Sequence, residues 1–188
     1  VVTALSPAGE FGGQHHQASA VLAHEAFSAA ADPARYSEQL SDALRPWQAS
    51  KFYYSEMFAF GRRPGREPSD EITTVDLGGY DPLLSRTYAE IGSHARSMHK
   101  CQGMSPLLAL PGSFSGRYRL VERILPEPDR ETETSLFDGI DTTIEGLVKF
   151  VEVTPPPMLT VGLAAISRHA AEAVRAFERQ QRSAVEEA

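Results

Sequence analysis

The sequence has little of the side chains on which several protein classes depend. Cys101 is the one cysteine among 188 residues, so the chain forms no internal disulfide and offers no cluster of thiolates for zinc. Glycine occurs 14 times and proline 13 times, which is near ordinary usage and excludes collagen-like and low-complexity chains. No apolar run approaches the roughly 20 residues of a membrane-spanning helix. The sequence therefore predicts no membrane span.

Positive charge is also scarce. Lys and Arg number 18 against 25 Asp and Glu, for a formal net charge of −7. The densest basic stretch, residues 62–66, is followed at once by Glu67, Asp70 and Glu71, a composition typical of a solvated loop. Proteins that bind nucleic acid need a basic surface that displaces counterions from phosphates. The charge pattern therefore predicts no nucleic-acid partner.

Along the rest of the sequence, strand patterns alternate with helix patterns. At about 150 residues per domain, the length allows one domain or slightly more. Apolar, β-prone runs predict strands at 1–5, 51–54, 73–75 and 117–121. Apolar residues at three- and four-residue spacing predict helices at about 15–31, 36–44 and from 81–82 to a stop at Gly103. This alternation favours an α/β architecture.

The chain divides into two predicted parts, residues 1–150 and 151–188. Asp141 or Thr142 is expected to cap a short helix that closes the first part near Phe150. The second part begins with a proline-rich connection at 154–157 and continues as an amphipathic helix. Its apolar stripe consists of Leu159, Leu163, Ile166, Ala170, Ala173 and Phe177.

Two adjacent histidines are the most informative candidates for chemistry. His15 and His16 follow a predicted strand and a glycine-containing loop, at the start of a predicted helix. Open α/β sheets bind ligands at this position, and neutral imidazole is a common zinc ligand. Adjacent side chains on a helix diverge, so at most one of the two is expected to meet a given metal. The alternative interpretation is a polar helix start with exposed histidines.

A second pair of polar residues lies on the later predicted helix. His99 is placed on or beside its apolar face, and Gln102 shares that side three residues later. A hydrogen-bonded histidine in the core is the alternative to a ligand there. Asp138 and Asp141 offer paired carboxylates for acid–base chemistry, but the same residues favour turns and helix caps, which is the preferred interpretation.

Several segments together resemble the LmbE/PIG-L de-N-acetylases, and in particular the large bacterial branch of that family. The resemblance covers residues 10 to 180, and it depends on the order and spacing of several motifs. The matching segments are residues 13–20, 25–36, 44–48, 79–84, 96–104 and 135–141.

The resemblance implies a Rossmann-like fold and a zinc-dependent reaction. Family members bind Zn²⁺ through a His and an Asp of an N-terminal His-Pro-Asp-Asp segment and a His of a later His-x-x-His segment. The second Asp of the first segment is the general base, and His16 matches the later metal ligand. Gly13 stands where the first His of the later segment helps to stabilise the oxyanion, so that role is unfilled or passes to His15. His99 and Gln102 match a His-x-x-Gln segment that supports the site or packs behind it.

The His-Pro-Asp-Asp string is absent from the sequence, which begins at Val1 without Met. We therefore expect the C-terminal part of a Rossmann-like LmbE/PIG-L deacetylase domain with flanking helices, separated from its N-terminal half, as a truncated reading frame would leave it. The intact parent is expected to remove an N-acetyl group from an N-acetylglucosamine-type substrate. This chain alone is expected to be inactive without that missing half.

Two other functions stay open. The substitution of Gly13 for the family histidine favours a non-catalytic binding or scaffold module that kept the fold and lost the metal site. A different metal hydrolase that recruits His15, His16 and His99 is the third interpretation. The resemblance also points to an exported bacterial protein, because members of the large bacterial branch are frequently exported.

Overall fold

The computed structural model describes residues 1–8, 13–41, 44–56, 72–102, 112, 114–126, 133–151 and 153–186. The chain separates into two compact units, Val1–Gly139 and Ile140–Ala188. The strands, in chain order, are β1 (Val2–Leu5), β2 (Lys51–Ser55), β3 (Ile72–Asp76), β4 (Tyr80–Asp81), β5 (Arg86–Thr87) and β6 (Ser115–Arg123). The helices are α1 (Gly13–Ala29), α2 (Tyr88–Ser97) and α3 (Pro157–Glu186).

Four strands form a mixed sheet in the order β1-β2-β6-β3. β1 and β2 are parallel, with Val2 opposite Phe52, and α1 lies between them in the chain, as a parallel connection requires. β6 runs antiparallel to both β2 and β3. The predicted α/β class is confirmed at this level, and each of the four predicted strands is present. The sheet is mixed because β6 enters between β2 and β3 in the opposite direction.

The core of the first unit lies between α1 and one face of the sheet. Ala20 and Phe27 of α1 are buried together with Phe52 and Tyr54 of β2. The Phe27 and Phe52 rings meet edge to face with centroids 5.8 Å apart, an arrangement that aromatic quadrupoles favour. Residues 52 and 54 share a face because side chains alternate along a strand. The predicted first helix is confirmed, two residues earlier than expected.

Two of the other predicted helices are corrected by the structure. The helix predicted at 36–44 is a 3-10 helix at Ser37–Gln39 in the described part of that segment. Tyr36 has φ of 56°, a left-handed conformation that costs a residue with a side chain about 1–2 kcal/mol and interrupts a right-handed helix.

The helix predicted from 81–82 begins at Tyr88 instead. Residues 80–87 form a small hairpin from β4 and β5, and Asp81 Oδ1 accepts a hydrogen bond from the Leu83 N–H at 2.9 Å. Thr87 then begins the helix with a capping box, because its hydroxyl accepts from the Glu90 N–H while the Glu90 carboxylate accepts from the Thr87 N–H. The predicted stop at Gly103 lies outside the described residues.

The second unit contains a 3-10 helix at Glu145–Phe150 and α3. Asp141 Oδ1 accepts from the Thr143 N–H at 2.9 Å, and Thr143 Oγ1 accepts from the Gly146 N–H at 3.0 Å. The prediction that Asp141 or Thr142 caps this helix is therefore wrong by one position, because the Thr143 hydroxyl accepts from the N–H of its first turn. α3 begins at Pro157, where a missing N–H costs nothing. No helix in the described part of the chain is both long and apolar enough to cross a membrane.

Candidate functional site

The first turn of α1 lies at the carboxyl end of the two parallel strands. Phe27, late in α1, packs on Phe52 near the start of β2, and His24, one turn earlier, contacts both Phe52 and Tyr54. The helix therefore runs back along the sheet, and its first residues lie beyond Leu5 and Ser55. Open α/β sheets bind ligands at this end.

Both predicted histidines are on this first turn. Gly13 begins α1 with φ of +66°, a left-handed conformation that favours glycine. His15 and His16 follow, and both are exposed. Their imidazoles are therefore accessible to a ligand, and the free N–H groups of a helix start are adjacent.

A charged cluster that sequence reasoning missed lies at the same end of the sheet. Glu56 follows β2 directly, and its side chain is buried beside Arg117 and Arg119 of β6. Arg119 Nε is 3.4 Å from Glu56 Oε1, and Arg117 Nε is 3.8 Å from Oε2. The Arg119 guanidinium also lies 5.7 Å from the centroid of the Tyr54 ring, where a cation is attracted to the aromatic face. The one signal in the sequence for this cluster was the position of Glu56, directly after the strand that ends at Ser55.

The described residues at this end of the sheet include a zinc ligand of the right type, but they are too few to hold a zinc ion. A zinc hydrolase uses three protein ligands and one open position, and His16 offers one imidazole of the right type. Within the residues that the structure describes, no group of three or more His, Cys, Asp or Glu side chains converges on one point. This part of the chain therefore does not complete a metal site by itself.

The supporting residues predicted on the later helix lie beyond its end. His99 is exposed, since α2 ends at Ser97, so its predicted place on the apolar helix face is wrong. Its Nδ1 is 3.2 Å from the Arg96 carbonyl oxygen. Gln102 belongs to the following 3-10 helix, Lys100–Gln102, and its side chain is outside the described part.

Both predicted carboxylates accept hydrogen bonds from backbone N–H groups of local turns, in line with the turn or capping role that the sequence indicated. Asp138 Oδ2 accepts from the Thr134 N–H at 2.7 Å and from the Ser135 N–H at 3.2 Å. These backbone donors stabilise the carboxylate and lower the pKa of Asp138. Hydrogen bonds from the side chain and backbone of Thr143 lower the pKa of Asp141 in the same way. Neither carboxyl has the raised pKa of a general acid.

A buried ionic cluster on the other face of the sheet also escaped sequence reasoning. Lys51 and Tyr53 of β2, Arg123 of β6 and Glu133 meet there, and Glu133 accepts hydrogen bonds from all three. Burial and the neighbouring Glu133 carboxylate raise the pKa of Tyr53 well above its ordinary value. The cluster ties the segment at Glu133 to the sheet, so we assign it to structure. No motif in the sequence could reveal this cluster, because Arg123 and Glu133 are far along the chain from Lys51 and Tyr53.

An open cleft lies elsewhere on α1. It has a volume of about 410 Å³ and is bounded by the second half of the helix and by residues between Asp32 and Leu40. Leu22, Tyr36 and Leu40 line it together with Glu25 and Arg35. Because α1 begins at the opposite end, the cleft is separate from His15 and His16.

Comparison of the chain with family models, with curated proteins and with solved structures finds no match.

Proposed function

We propose that this chain forms part of a metal-dependent hydrolase that removes an N-acetyl group from an N-acetylglucosamine-type substrate. In this proposal the first unit is the C-terminal part of a Rossmann-like domain of the LmbE/PIG-L type, with His16 as a ligand of a Zn²⁺ ion. The observation that carries the proposal is the position of His16. Its exposed imidazole lies on the first turn of α1, at the carboxyl end of parallel strands β1 and β2, where this fold class binds ligands.

The free edge of β1 supports the proposal. β1 is a terminal strand of the sheet order β1-β2-β6-β3 among the described residues, although its sequence, Val-Thr-Ala-Leu, resembles that of an interior strand. A further parallel strand on that edge would end beside His16. A His-Pro-Asp-Asp segment at the end of such a strand would bring the remaining ligands and the base to one point.

His15 is proposed to stabilise the oxyanion in place of the family histidine at position 13. It is exposed on the same helical turn as His16, and a hydrogen-bond donor at a developing oxyanion lowers the barrier of acyl transfer. His99 and Gln102 keep their proposed supporting role behind the metal ligands. The chain alone is proposed to be inactive, because one ligand does not hold a catalytic zinc ion.

The test uses the natural gene product that contains this chain. We expect it to hold stoichiometric zinc by elemental analysis and to release acetate from N-acetylated amino sugars. His16→Ala should lose both. His169→Ala is the matched control, because His169 is also an exposed helical histidine and its Nδ1 lies 3.3 Å from Glu172 Oε2 on α3. That variant should keep zinc and activity.

Two results would overturn the proposal. An unchanged zinc content in His16→Ala would show that His16 is not a zinc ligand. Bound zinc without acetate release from any N-acetylated amino sugar would show that the proposed reaction is wrong. Zinc-dependent acetate release by the 188-residue chain on its own would show that the chain needs no ligand from another segment.

A binding or scaffold module is the second candidate, and the conformation of Gly13 favours it. Residue 13 has φ of +66°, which a histidine adopts with strain. Titration calorimetry with N-acetylglucosamine distinguishes the two candidates. A zinc-free gene product that binds the sugar without releasing acetate is the result that the module predicts.

A further inference from the structure

Two arginine side chains of β6 point to one buried carboxylate. Arg117 and Arg119 are two positions apart on β6, so their side chains lie on the same face of the sheet. Arg119 Nε lies 3.4 Å from Glu56 Oε1, and Arg117 Nε lies 3.8 Å from Glu56 Oε2. These two guanidiniums, the arginine pair, therefore converge on a single acidic group. Two positive charges against one negative charge leave an excess of one positive charge among the three residues.

The arginine pair has hydrogen-bond donors that Glu56 does not engage. Both contacts to Glu56 are longer than the roughly 2.9 Å of a charge-assisted hydrogen bond. Arg119 Nε is buried and donates no hydrogen bond within the described part of the chain. Buried polar atoms nearly always have a partner, which is a protein group, an ordered water or an ion. A buried donor of this kind therefore indicates that an acceptor binds beside Arg119.

The residues around the arginine pair orient it and leave it accessible, and all of them belong to the first unit. The Glu56 side chain is 8% exposed, whereas the side chains of Arg119 and Arg117 are 33% and 41% exposed. The carboxylate therefore lies beneath two guanidiniums that reach solvent. The Arg119 guanidinium also lies 5.7 Å from the centroid of the Tyr54 ring, a contact that restricts its orientation. An oriented pair loses less conformational entropy when a ligand binds.

Two other carboxylates on β3 and β6 have partners of their own. Asp76 ends β3, and its Oδ1 accepts a hydrogen bond from the Gly78 N–H at 2.8 Å. Glu122 of β6 has its Oε1 at 2.9 Å from His24 Nε2. Among the described residues, Glu56 is the acidic group that forms ion pairs with the arginine pair. The excess positive charge of the pair therefore remains available to an anion.

The arginine pair lies at the same end of the sheet as the first turn of α1. His24 contacts Phe52, and His16 lies about 12 Å before His24 along the axis of α1. Glu56 lies about 13 Å beyond Phe52 along β2 and faces the same side, because side chains alternate along a strand. Both features are therefore at the carboxyl end of the parallel strands, where open α/β sheets bind ligands.

We propose that Arg117 and Arg119 bind an oxyanion group, a phosphate or a carboxylate, of a small ligand at this end of the sheet. A guanidinium presents a planar set of N–H donors that matches two oxygens of either group. The ligand is small because the net charge of −7 opposes a polyanion such as a nucleic acid. The proposal does not depend on zinc or on the deacetylase reaction, since it concerns residues of the sheet.

The test is isothermal titration calorimetry of the full 188-residue chain with sodium phosphate and, separately, with sodium acetate, at one low ionic strength. We expect one anion bound per chain. Tighter binding of phosphate identifies the ligand group as a phosphate, and tighter binding of acetate identifies it as a carboxylate. Arg119→Gln and Arg117→Gln should each weaken the tighter-bound anion about tenfold or more, because each removes a charged donor.

Arg168→Gln is the matched control, because Arg168 is also an arginine beside one carboxylate, with its Nε 3.9 Å from Glu172 Oε1 on α3. This control should bind the anion like the wild type, and circular dichroism verifies that each variant is folded. If Arg119→Gln does not fold, the more exposed Arg117→Gln decides the result.

Three results would overturn the proposal. A wild-type chain that binds neither anion has no oxyanion site. Equal affinity in the wild type and in the arginine-pair variants would show that the anion binds elsewhere. Equal weakening by Arg168→Gln would show that the anion responds to net charge and not to the arginine pair.

Discussion

Lys51 Nζ lies 2.7 Å from Glu133 Oε1 although the two residues are 82 positions apart in the chain. Both side chains are buried, and Arg123 and Tyr53 donate to the same carboxylate. A buried cation is tolerated only when its partner remains in place. Glu133 is therefore the residue on which this face of the sheet depends.

Replacement of Glu133 by glutamine should destabilise the chain strongly. Glutamine keeps the shape but removes the charge of the carboxylate that Lys51 and Arg123 contact, at a cost of about 3–5 kcal/mol in the free energy of unfolding. Urea denaturation followed by circular dichroism measures this cost. The control is Glu172→Gln on the surface of α3, where the lost ion pairs contribute less than about 1 kcal/mol. Equal destabilisation by the two substitutions would contradict the assignment of the cluster.

Alkaline pH should destabilise the fold through two buried tyrosines. Burial raises the pKa of Tyr54 above its ordinary value, and burial together with Glu133 does the same for Tyr53. Above about pH 10 the unfolded chain therefore binds fewer protons than the folded chain, and the free energy of unfolding falls as the pH rises. Below that pH, both tyrosines are protonated in both states, and this contribution is fully present.

Spectrophotometric titration of the six tyrosines checks the alkaline prediction. We expect late phenolate formation in the folded chain, and one late phenolate fewer in Tyr53→Phe. The decline of stability above about pH 10 should be less steep in that variant. Ionisation of every tyrosine near the ordinary pKa of about 10 would count against the buried environment of β2.

The α1 core should depend on Phe27. Phe27→Ala removes a ring that is buried against Phe52, and a cavity of this kind costs about 3–5 kcal/mol. Leu22→Ala is the control on the same helix, since Leu22 is 62% exposed and alanine retains helix propensity; we expect a change within about 0.5 kcal/mol. Urea denaturation compares the two. A similar cost for both would show that α1 does not pack on β2 through this face.

The start of α2 should depend on the Thr87 hydroxyl. Thr87→Ala leaves the Glu90 N–H without its acceptor, which costs about 0.5–2 kcal/mol. Thr87→Ser keeps the hydroxyl and should recover most of the loss. Thermal unfolding of the two variants tests the capping box, and the box has no role if serine destabilises as much as alanine.

The sequence predicted the elements that depend on local pattern. The apolar runs at β1 and β2 and the periodicity of α1 and α3 identify those elements because side-chain spacing alone decides which face is buried. The prediction of a helix from 81–82 was wrong, and the reason is also local. Residues 80–87 form a hairpin, and the pairing of Tyr80 with Thr87 competes with the helical pattern that follows Pro82.

The candidate site was predicted in part. The sequence placed His15 and His16 at a helix start after a strand, and the structure has that arrangement at the carboxyl end of parallel strands. Glu56 and its two arginines were missed, because β6 lies about 60 residues later and its antiparallel entry beside β2 brings Arg119 to Glu56. Such a pairing depends on sheet order, which periodicity does not contain.

The sequence by itself determined the α/β class, the strands and helices with strong periodicity, the local hydrogen-bonding role of Asp138 and Asp141 and the apolar stripe of α3. The tertiary structure alone decided that the sheet is mixed and that Lys51 and Glu133 meet inside the first unit. The physical reason is the range of the forces involved. Side-chain periodicity and capping act within a few residues, whereas burial and ion pairing depend on which distant segments share a sheet.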